Sequence, residues 1–233
     1  LRGYLDYART APDELTTIAH VMAAPPAPFI PEDKVGELSL VILVVYAGDL
    51  EEGARVVAPL RALDAAIADV VSPMPYPAIY MFTEESTHPH GVSIRSAFTD
   101  EISDEFIEAA LEFGRNAPSP TSFVQYRPFG GQLARVPADA TAFAHRDAGF
   151  MVTILGLYAE PEPETVEVHR AWTDAIWQEL RPLARGVYSN FLQDEGEARI
   201  RQAYTPETYA RLVEVKRRYD PQNVFHFNQN IKP

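Results

Sequence analysis

Apolar residues recur along the chain with periods of two residues or of three to four residues, and these periods divide it into predicted strands and helices. Residues 37–46, 91–98, 122–127 and 150–158, with 13–23 before them, are rich in the residues typical of strands. Helical spacing or helix start and stop signals mark residues 49–63, 103–113, 164–183 and 205–220. Long strands separated by few helices predict an α+β fold with a largely antiparallel sheet, helices packed on one face and the other face open.

Several local signals refine this prediction. Residues 37–46 are almost continuously apolar, which favours a strand covered on both faces. Asp49, Ser103 and Thr205 precede helical patterns and are typical N-cap residues, and Asp220 stands before a proline that ends the last helix. No linker composition divides the chain, so residues 1–233 are predicted to form one domain.

Charge and composition narrow the function classes. The chain of 233 residues carries a net charge of −13, which argues against binding to nucleic acid or to an anionic membrane surface. Its longest strongly apolar run covers about half of the roughly 20 residues that a membrane helix needs. Cysteine is absent, which is typical of a reducing compartment and leads us to expect a cytoplasmic protein. The first residues, from Leu1, resemble no targeting segment and predict an interior position of a longer protein.

Generic catalytic motifs are missing from the sequence. It contains no glycine-rich nucleotide loop of the usual types, no zinc-protease motif and no G-x-S-x-G. His88 and His90 are the histidines closest in sequence, and their polar surroundings favour solvated loop residues over metal ligands, so no metal is predicted. On these grounds alone the sequence predicts only an α+β domain. A non-catalytic binding or dimerisation module is therefore kept as the alternative to any enzymatic function.

Four segments in the second half of the chain carry a family resemblance. Residues 219–233 read YDPQNVFHFNQNIKP, which follows a K-x-x-Y-D-P-x-N-x-F ending closed by I-x-P. Residues 143–146 fit F-x-H-R, residues 188–191 fit Y-x-N-[YF], and residues 203–212 fit a tyrosine-to-arginine-leucine helix pattern. Together these segments resemble the berberine-bridge-enzyme-like family of FAD-linked oxidoreductases.

The resemblance implies a function for the longer protein. It would be an FAD-dependent oxidoreductase that oxidises an alcohol, sugar or other secondary metabolite by hydride transfer to flavin. This chain would be its substrate-binding domain, and its partners would be a small-molecule substrate and its own amino-terminal FAD domain. Because the chain has no phosphate-cradling loop, we expect it not to retain FAD alone. A homodimer through the open sheet face is also expected.

The resemblance also indicates site residues. Tyr188 would lie beside the flavin as the base that deprotonates the substrate, and Asn190 would position the cofactor or Tyr188. Period-two alternation predicts that both project from the same face of a short strand. Asn228 and Gln229 would hydrogen-bond the polar edge of the flavin. The structural alternative for Tyr188 is an ordinary sheet tyrosine with a satisfied hydroxyl.

Arg135 marks a departure from the family pattern. It occupies a position where some members carry a catalytic Glu or Gln, which makes a carboxylate base from that segment doubtful. Arg135 could bind an anionic substrate or act electrostatically on Tyr188, while an exposed loop arginine is the alternative. In the tail, Phe225 and Phe227 alternate with polar neighbours and are predicted to anchor it.

Overall fold

One antiparallel sheet organises the chain in a computed structural model that describes residues 1–64, 66–82 and 90–233. The strand order is β2-β1-β4-β5-β3, and each neighbouring pair is antiparallel. The strands are β1 (Leu15–Ala23), β2 (Leu38–Tyr46), β3 (Gly91–Thr99), β4 (Phe123–Pro128) and β5 (Phe150–Tyr158). The predicted α+β fold is confirmed, and each strand lies within two residues of its predicted bounds.

The helices include the four that the sequence predicts and three shorter ones that it does not. They are α1 (Arg2–Ala8), α2 (Leu50–Arg61), α3 (Asp104–Arg115), α4 (Gly131–Arg135), α5 (Pro163–Leu180), α6 (Glu197–Gln202) and α7 (Pro206–Tyr219). Asp49, Ser103 and Thr205 cap α2, α3 and α7, because each side chain accepts a hydrogen bond from a backbone N–H of the first turn. None of the helices described here is both long and apolar enough to cross a membrane.

The main core lies between one sheet face and helices α3 and α5. Ala19, Tyr126, Val152 and Ala97 align across four neighbouring strands and are fully buried. Phe106 from α3 packs against this row, as Ile176 does from α5. The helical periodicity of both helices is explained by this burial, since their apolar stripes face the sheet.

Strand β2 departs from its prediction. Its apolar run favours cover on both faces, yet every residue of Leu38–Tyr46 is only partly buried. The reason is its position, because β2 is the outermost strand of the sheet and pairs only with β1 in the described part of the chain. The prediction of a strand covered on both faces is therefore wrong for this chain.

The second sheet face, called the open face below, carries the alternate side chains of each strand. Its central residues are Ile18, His20 and Met22 on β1, Val41, Leu43 and Val45 on β2, Phe123, Gln125 and Arg127 on β4, and Met151 and Thr153 on β5. Near β3 and β5 it is covered by the segment after α5, where Tyr188 and Phe191 pack on Phe98 and Met151. Over β1, β2 and most of β4 it stays partly accessible.

The outer edge of β3 is closed by residues from far along the chain. The Phe98 N–H donates to the Gly186 carbonyl. Gln193 accepts from the Ile94 N–H and donates to the Val92 carbonyl through its side-chain amide. Arg199 donates to the Ser96 carbonyl at 3.0 Å. Backbone groups that would otherwise be a free strand edge are thus satisfied by the carboxy-terminal segment.

Candidate functional site

Tyr188 and Asn190 are joined by a direct hydrogen bond. The Asn190 side-chain amide donates to the Tyr188 hydroxyl oxygen at 2.9 Å. The local backbone is not the predicted short strand, because Ser189–Phe191 forms a 3-10 turn with Tyr188 at its start. The strand prediction is therefore wrong here: a turn, and not period-two alternation, brings the two side chains together.

The Tyr188 ring is held by aromatic contacts. Phe143 and Phe191 both meet it edge-on, with ring centroids 5.8 Å and 5.2 Å away. The ring is half-buried and lines an open cavity of about 180 Å³. Phe143, His145, Asn190 and Tyr204 also line it. A small planar group would find aromatic walls here and a hydrogen-bonding pair at one side.

Arg127 is a charged group at this site that the sequence reasoning missed. Its guanidinium lies over the Phe191 ring, 5.2 Å from the centroid, and is close enough to Tyr188 for the two side chains to interact electrostatically. Burial lowers the pKa of the Arg127 guanidinium from its ordinary value, and Tyr188 opposes that shift. Its Nε is buried without a hydrogen-bond partner, and no described carboxylate pairs with it. The signal was present in the alternation of Phe123, Gln125 and Arg127.

His20 and Gln125 continue the site across the open face. The Gln125 amide nitrogen donates to Nε2 of His20 at 2.7 Å, and Phe123 packs on the imidazole with centroids 4.6 Å apart. Burial, with help from Arg127, lowers the pKa of His20 to about 4. The imidazole is therefore neutral near pH 7. Gln125 Oε1 and the Thr153 hydroxyl on the neighbouring strand are buried without a hydrogen-bond partner.

Arg135 lies away from this group of residues. It belongs to the short helix α4, and its guanidinium donates to Asp13 at 2.5 Å and to the Gln132 side chain. Its side chain is 56% exposed, and the described contacts include none with Tyr188. A role for Arg135 stays a prediction, and Arg127 holds the place beside Tyr188 that Arg135 was expected to take.

Of the two tail residues predicted to contact flavin, Asn228 and Gln229, the structure brings Gln229 close to the segment that holds Tyr188. The Gln229 side chain donates to the Leu192 carbonyl at 2.5 Å, just after the turn that holds Tyr188. Asn228 is exposed and has a left-handed backbone, with φ of 56°. Their predicted contacts with flavin stay predictions. In this chain Gln229 holds the tail against the Tyr188 segment.

The tail is anchored differently from the prediction. Phe225 and Phe227 are 79% and 81% exposed, so their predicted anchoring is wrong in this chain. Asp220 anchors the start of the tail instead, because its carboxylate accepts hydrogen bonds from the Val224 and Phe225 N–H groups and pairs with Lys216. The hydrogen bond from Lys216 contributes most to lowering the pKa of the Asp220 carboxyl.

Metal-ligand geometry does not occur in the described residues, where no three His, Asp or Glu side chains cluster suitably. His88 lies outside those residues. The site is instead a set of hydrogen-bonding and aromatic side chains at the boundary between the open sheet face and the carboxy-terminal segment. The structure thus has an α+β fold with a candidate site on one side of its sheet.

Comparison with known proteins finds similar sequences. Residues 187–232 match the family described as "Berberine and berberine like". An FAD-linked oxidoreductase of Dictyostelium discoideum is 26% identical over 198 residues, which cover 83% of this chain and 42% of that protein. (R)-6-hydroxynicotine oxidase of Paenarthrobacter nicotinovorans is 27% identical, over 89% of this chain and 47% of the oxidase.

Solved structures agree on the fold. Berberine bridge enzyme from Eschscholzia californica superposes with a TM-score of 0.75 at 18% identity, over 99% of this chain and 51% of the enzyme. The resemblance that the sequence motifs indicate is confirmed: the chain is a relative of the berberine-bridge-enzyme-like FAD-linked oxidoreductases. It spans less than half the length of the curated relatives it matches.

Proposed function

We propose that this chain is the substrate-binding half of an FAD-dependent oxidoreductase, which oxidises an alcohol, sugar or other secondary metabolite by hydride transfer. One observation carries the proposal. The residues that match the family, 187–232, include the Tyr188 turn, about half of the residues that line the cavity, and the Gln193 and Arg199 side chains that close the edge of β3. The family segment therefore overlaps the candidate site.

The residues present fit the ring end of a flavin and not its phosphates. Tyr188 and Asn190 offer a phenol and an amide beside aromatic walls, which suits a planar ring with polar edges. A helix N-terminus with a glycine-rich loop, the usual phosphate cradle, is absent from the sequence. We therefore assign the phosphates to the part of the relatives that this chain does not span.

Tyr188 is the proposed proton acceptor. When the substrate hydroxyl is oxidised, the Tyr188 oxygen in its phenolate form takes up the hydroxyl proton and becomes a neutral phenol; a bound flavin would supply the hydride acceptor. Asn190 fixes the orientation of the phenol through its 2.9 Å hydrogen bond. Arg127 places a positive charge near the phenolate oxygen before the proton is taken up.

The visible absorption spectrum of the full-length protein tests this function. We expect a flavin spectrum after gel filtration, and bleaching of that spectrum when a substrate from an alcohol or sugar panel is added without oxygen. The 233-residue chain serves as the matched comparison and is expected to be colourless. A colourless full-length protein would contradict the proposal and leave the non-catalytic module as the better account.

A further inference from the structure

Arg127 is a half-buried cation without a counter-charge. Its described neighbours are aromatic or neutral: Phe191 lies under the guanidinium, and Met151 lies opposite on β5. Its Nε is buried and has no hydrogen-bond partner. A buried charge is costly unless it is paired and hydrogen-bonded. The described residues therefore leave the guanidinium charge unpaired, and a ligand that carries a negative charge would supply the missing counter-charge.

The open face around Arg127 excludes acidic residues. The outward positions of β1 to β5 include no Asp or Glu, although the chain contains 33 acidic residues and only 20 Lys and Arg. The chain as a whole has a net charge of −13, yet no carboxylate on these strand positions compensates the positive charge of Arg127. Cationic ligands are disfavoured at such a face, and anionic ones are favoured.

Neutral hydrogen-bonding groups surround the cation. His20 stays unprotonated near neutral pH, so it adds no charge and can hydrogen-bond. Gln125 Oε1 and the Thr153 hydroxyl lie on adjacent strands of the same face, and both are buried without a hydrogen-bond partner. These two atoms lie beneath the accessible surface beside the unpaired guanidinium, so the described residues leave this part of the sheet with hydrogen-bonding groups that have no partner.

We propose that the open face selects substrates that carry a negatively charged oxygen group of the carboxylate class, which Arg127 binds while His20, held by Gln125, lies beside its neutral polar part. This inference rests on the proposed function, since it takes the open face as the substrate site. It deepens that function by assigning the charge of the substrate. Arg127 is then a specificity-determining residue, and its planar guanidinium suits a two-oxygen acceptor.

Three probes of one shape and different charge test the proposal. Benzoate, benzamide and benzamidine are anionic, neutral and cationic near pH 7, and each is titrated into the full-length protein by isothermal calorimetry. We expect benzoate to bind about tenfold or more tightly than benzamide, the effect of a charge-assisted hydrogen-bond pair. Benzamidine should bind least tightly, since Arg127 repels it.

Matched variants locate the effect. Arg127→Gln should bring the affinity for benzoate to that for benzamide, and Arg127→Lys should keep a reduced preference because a point charge replaces the planar fork. Arg9→Gln is the control, because it removes the same charge from an exposed position at the end of α1. It should leave the benzoate-to-benzamide ratio unchanged.

The outcomes separate this inference from the function on which it rests. Equal affinity for the three probes, binding of none of them, or a preference that survives Arg127→Gln would overturn it, including the case in which a carboxylate of the rest of the protein already pairs with Arg127. The visible spectrum of the same sample reports flavin independently. Flavin without anion preference refutes only the substrate charge, and anion preference without flavin refutes only the oxidoreductase.

Discussion

Tyr188 is the residue at which the largest number of site interactions meet. Asn190 donates to its oxygen, two phenylalanine rings meet its ring edge-on, and Arg127 lies close enough to interact with it electrostatically. Such a side chain has little freedom to rotate, and a fixed phenol is what a proton acceptor requires. The family motif points to Tyr188 and Asn190, whereas the alternation of Phe123, Gln125 and Arg127 gives only the face of Arg127, and the strand register is needed to place it near Tyr188.

Removal of the Tyr188 hydroxyl should therefore slow chemistry without disturbing the fold. In the full-length protein, Tyr188→Phe keeps the ring contacts and deletes only the proton acceptor. We expect the flavin-reduction half-reaction, measured by stopped-flow absorbance, to slow by roughly 10²–10⁴-fold, with normal flavin content. Tyr209→Phe, on α7, is the control and should reduce flavin at the parental rate. Parental reduction by Tyr188→Phe would remove Tyr188 from the proposed mechanism.

His20 makes the stability of the chain depend on pH. Its pKa is about 4 when folded and about 6.5 when unfolded. Between these values the unfolded chain binds a proton that the folded chain does not, so the free energy of unfolding decreases as pH falls from about 6.5 to about 4. The loss from this residue is at most about 3 kcal/mol, given the size of the pKa shift.

His20→Gln should remove that part of the pH dependence. Glutamine can keep a hydrogen bond to Gln125 and does not titrate, while the carboxylates with lowered pKa, such as Asp147, remain in both proteins. Urea unfolding at several pH values should therefore give a flatter curve for the variant above pH 4. Identical slopes for both proteins would show that His20 titrates normally in the folded chain.

At the scale of elements, the sequence predicts the strands and helices that are long enough to show a repeated apolar pattern, and it misses the short helices. The five strands and four main helices are long enough for several periods of apolar residues, and caps mark helix starts at Asp49, Ser103 and Thr205. Helices α1, α4 and α6 have five to seven residues, too few for a period to show. The cover of β2 was also unpredictable, since position in the sheet depends on pairing between distant strands.

The segment that closes β3 depends on the lack of a side chain at Gly186. A Cβ there would lie 2.2 Å from Cε1 of His145, whose ring packs on Phe98. Gly186→Ala should cost about 1–3 kcal/mol, because the imidazole must leave its place. The double variant with His145→Ala should be more stable than the sum of the two single effects predicts, as measured by urea unfolding. Additive effects would argue that the contact carries no strain.

At the scale of the whole molecule, the open face is the surface that the described part of the chain covers only in part. Its side toward β3 is covered by the carboxy-terminal segment, while Ile18, Val41 and Leu43 remain partly accessible on the other side. The Dictyostelium protein is more than twice as long as the segment of it that this chain matches. We therefore expect this apolar region to promote association with other molecules when the 233-residue chain is studied alone.

Self-association should follow from that region. The 233-residue chain is expected to form dimers with rising concentration in sedimentation velocity experiments, and Leu43→Lys should shift it toward monomer by placing a charge in the contact. Val215→Lys, at a 53% exposed position on α7, is the matched control. Dimers that tolerate Leu43→Lys, or a strictly monomeric chain, would contradict the expectation.

The closure of β3 also fixes an order of events during synthesis. Gln193 follows Ile94 by 99 residues and Arg199 follows Ser96 by 103, so β3 leaves the ribosome long before the groups that cover its edge. Until the last segment emerges, the sheet keeps a bare edge, and an interrupted chain keeps it permanently. The same late segment carries Tyr188. A chain that stops before Gly186 lacks both the groups that close β3 and the candidate proton acceptor, so closure of the sheet and completion of the proposed site depend on one stretch of sequence.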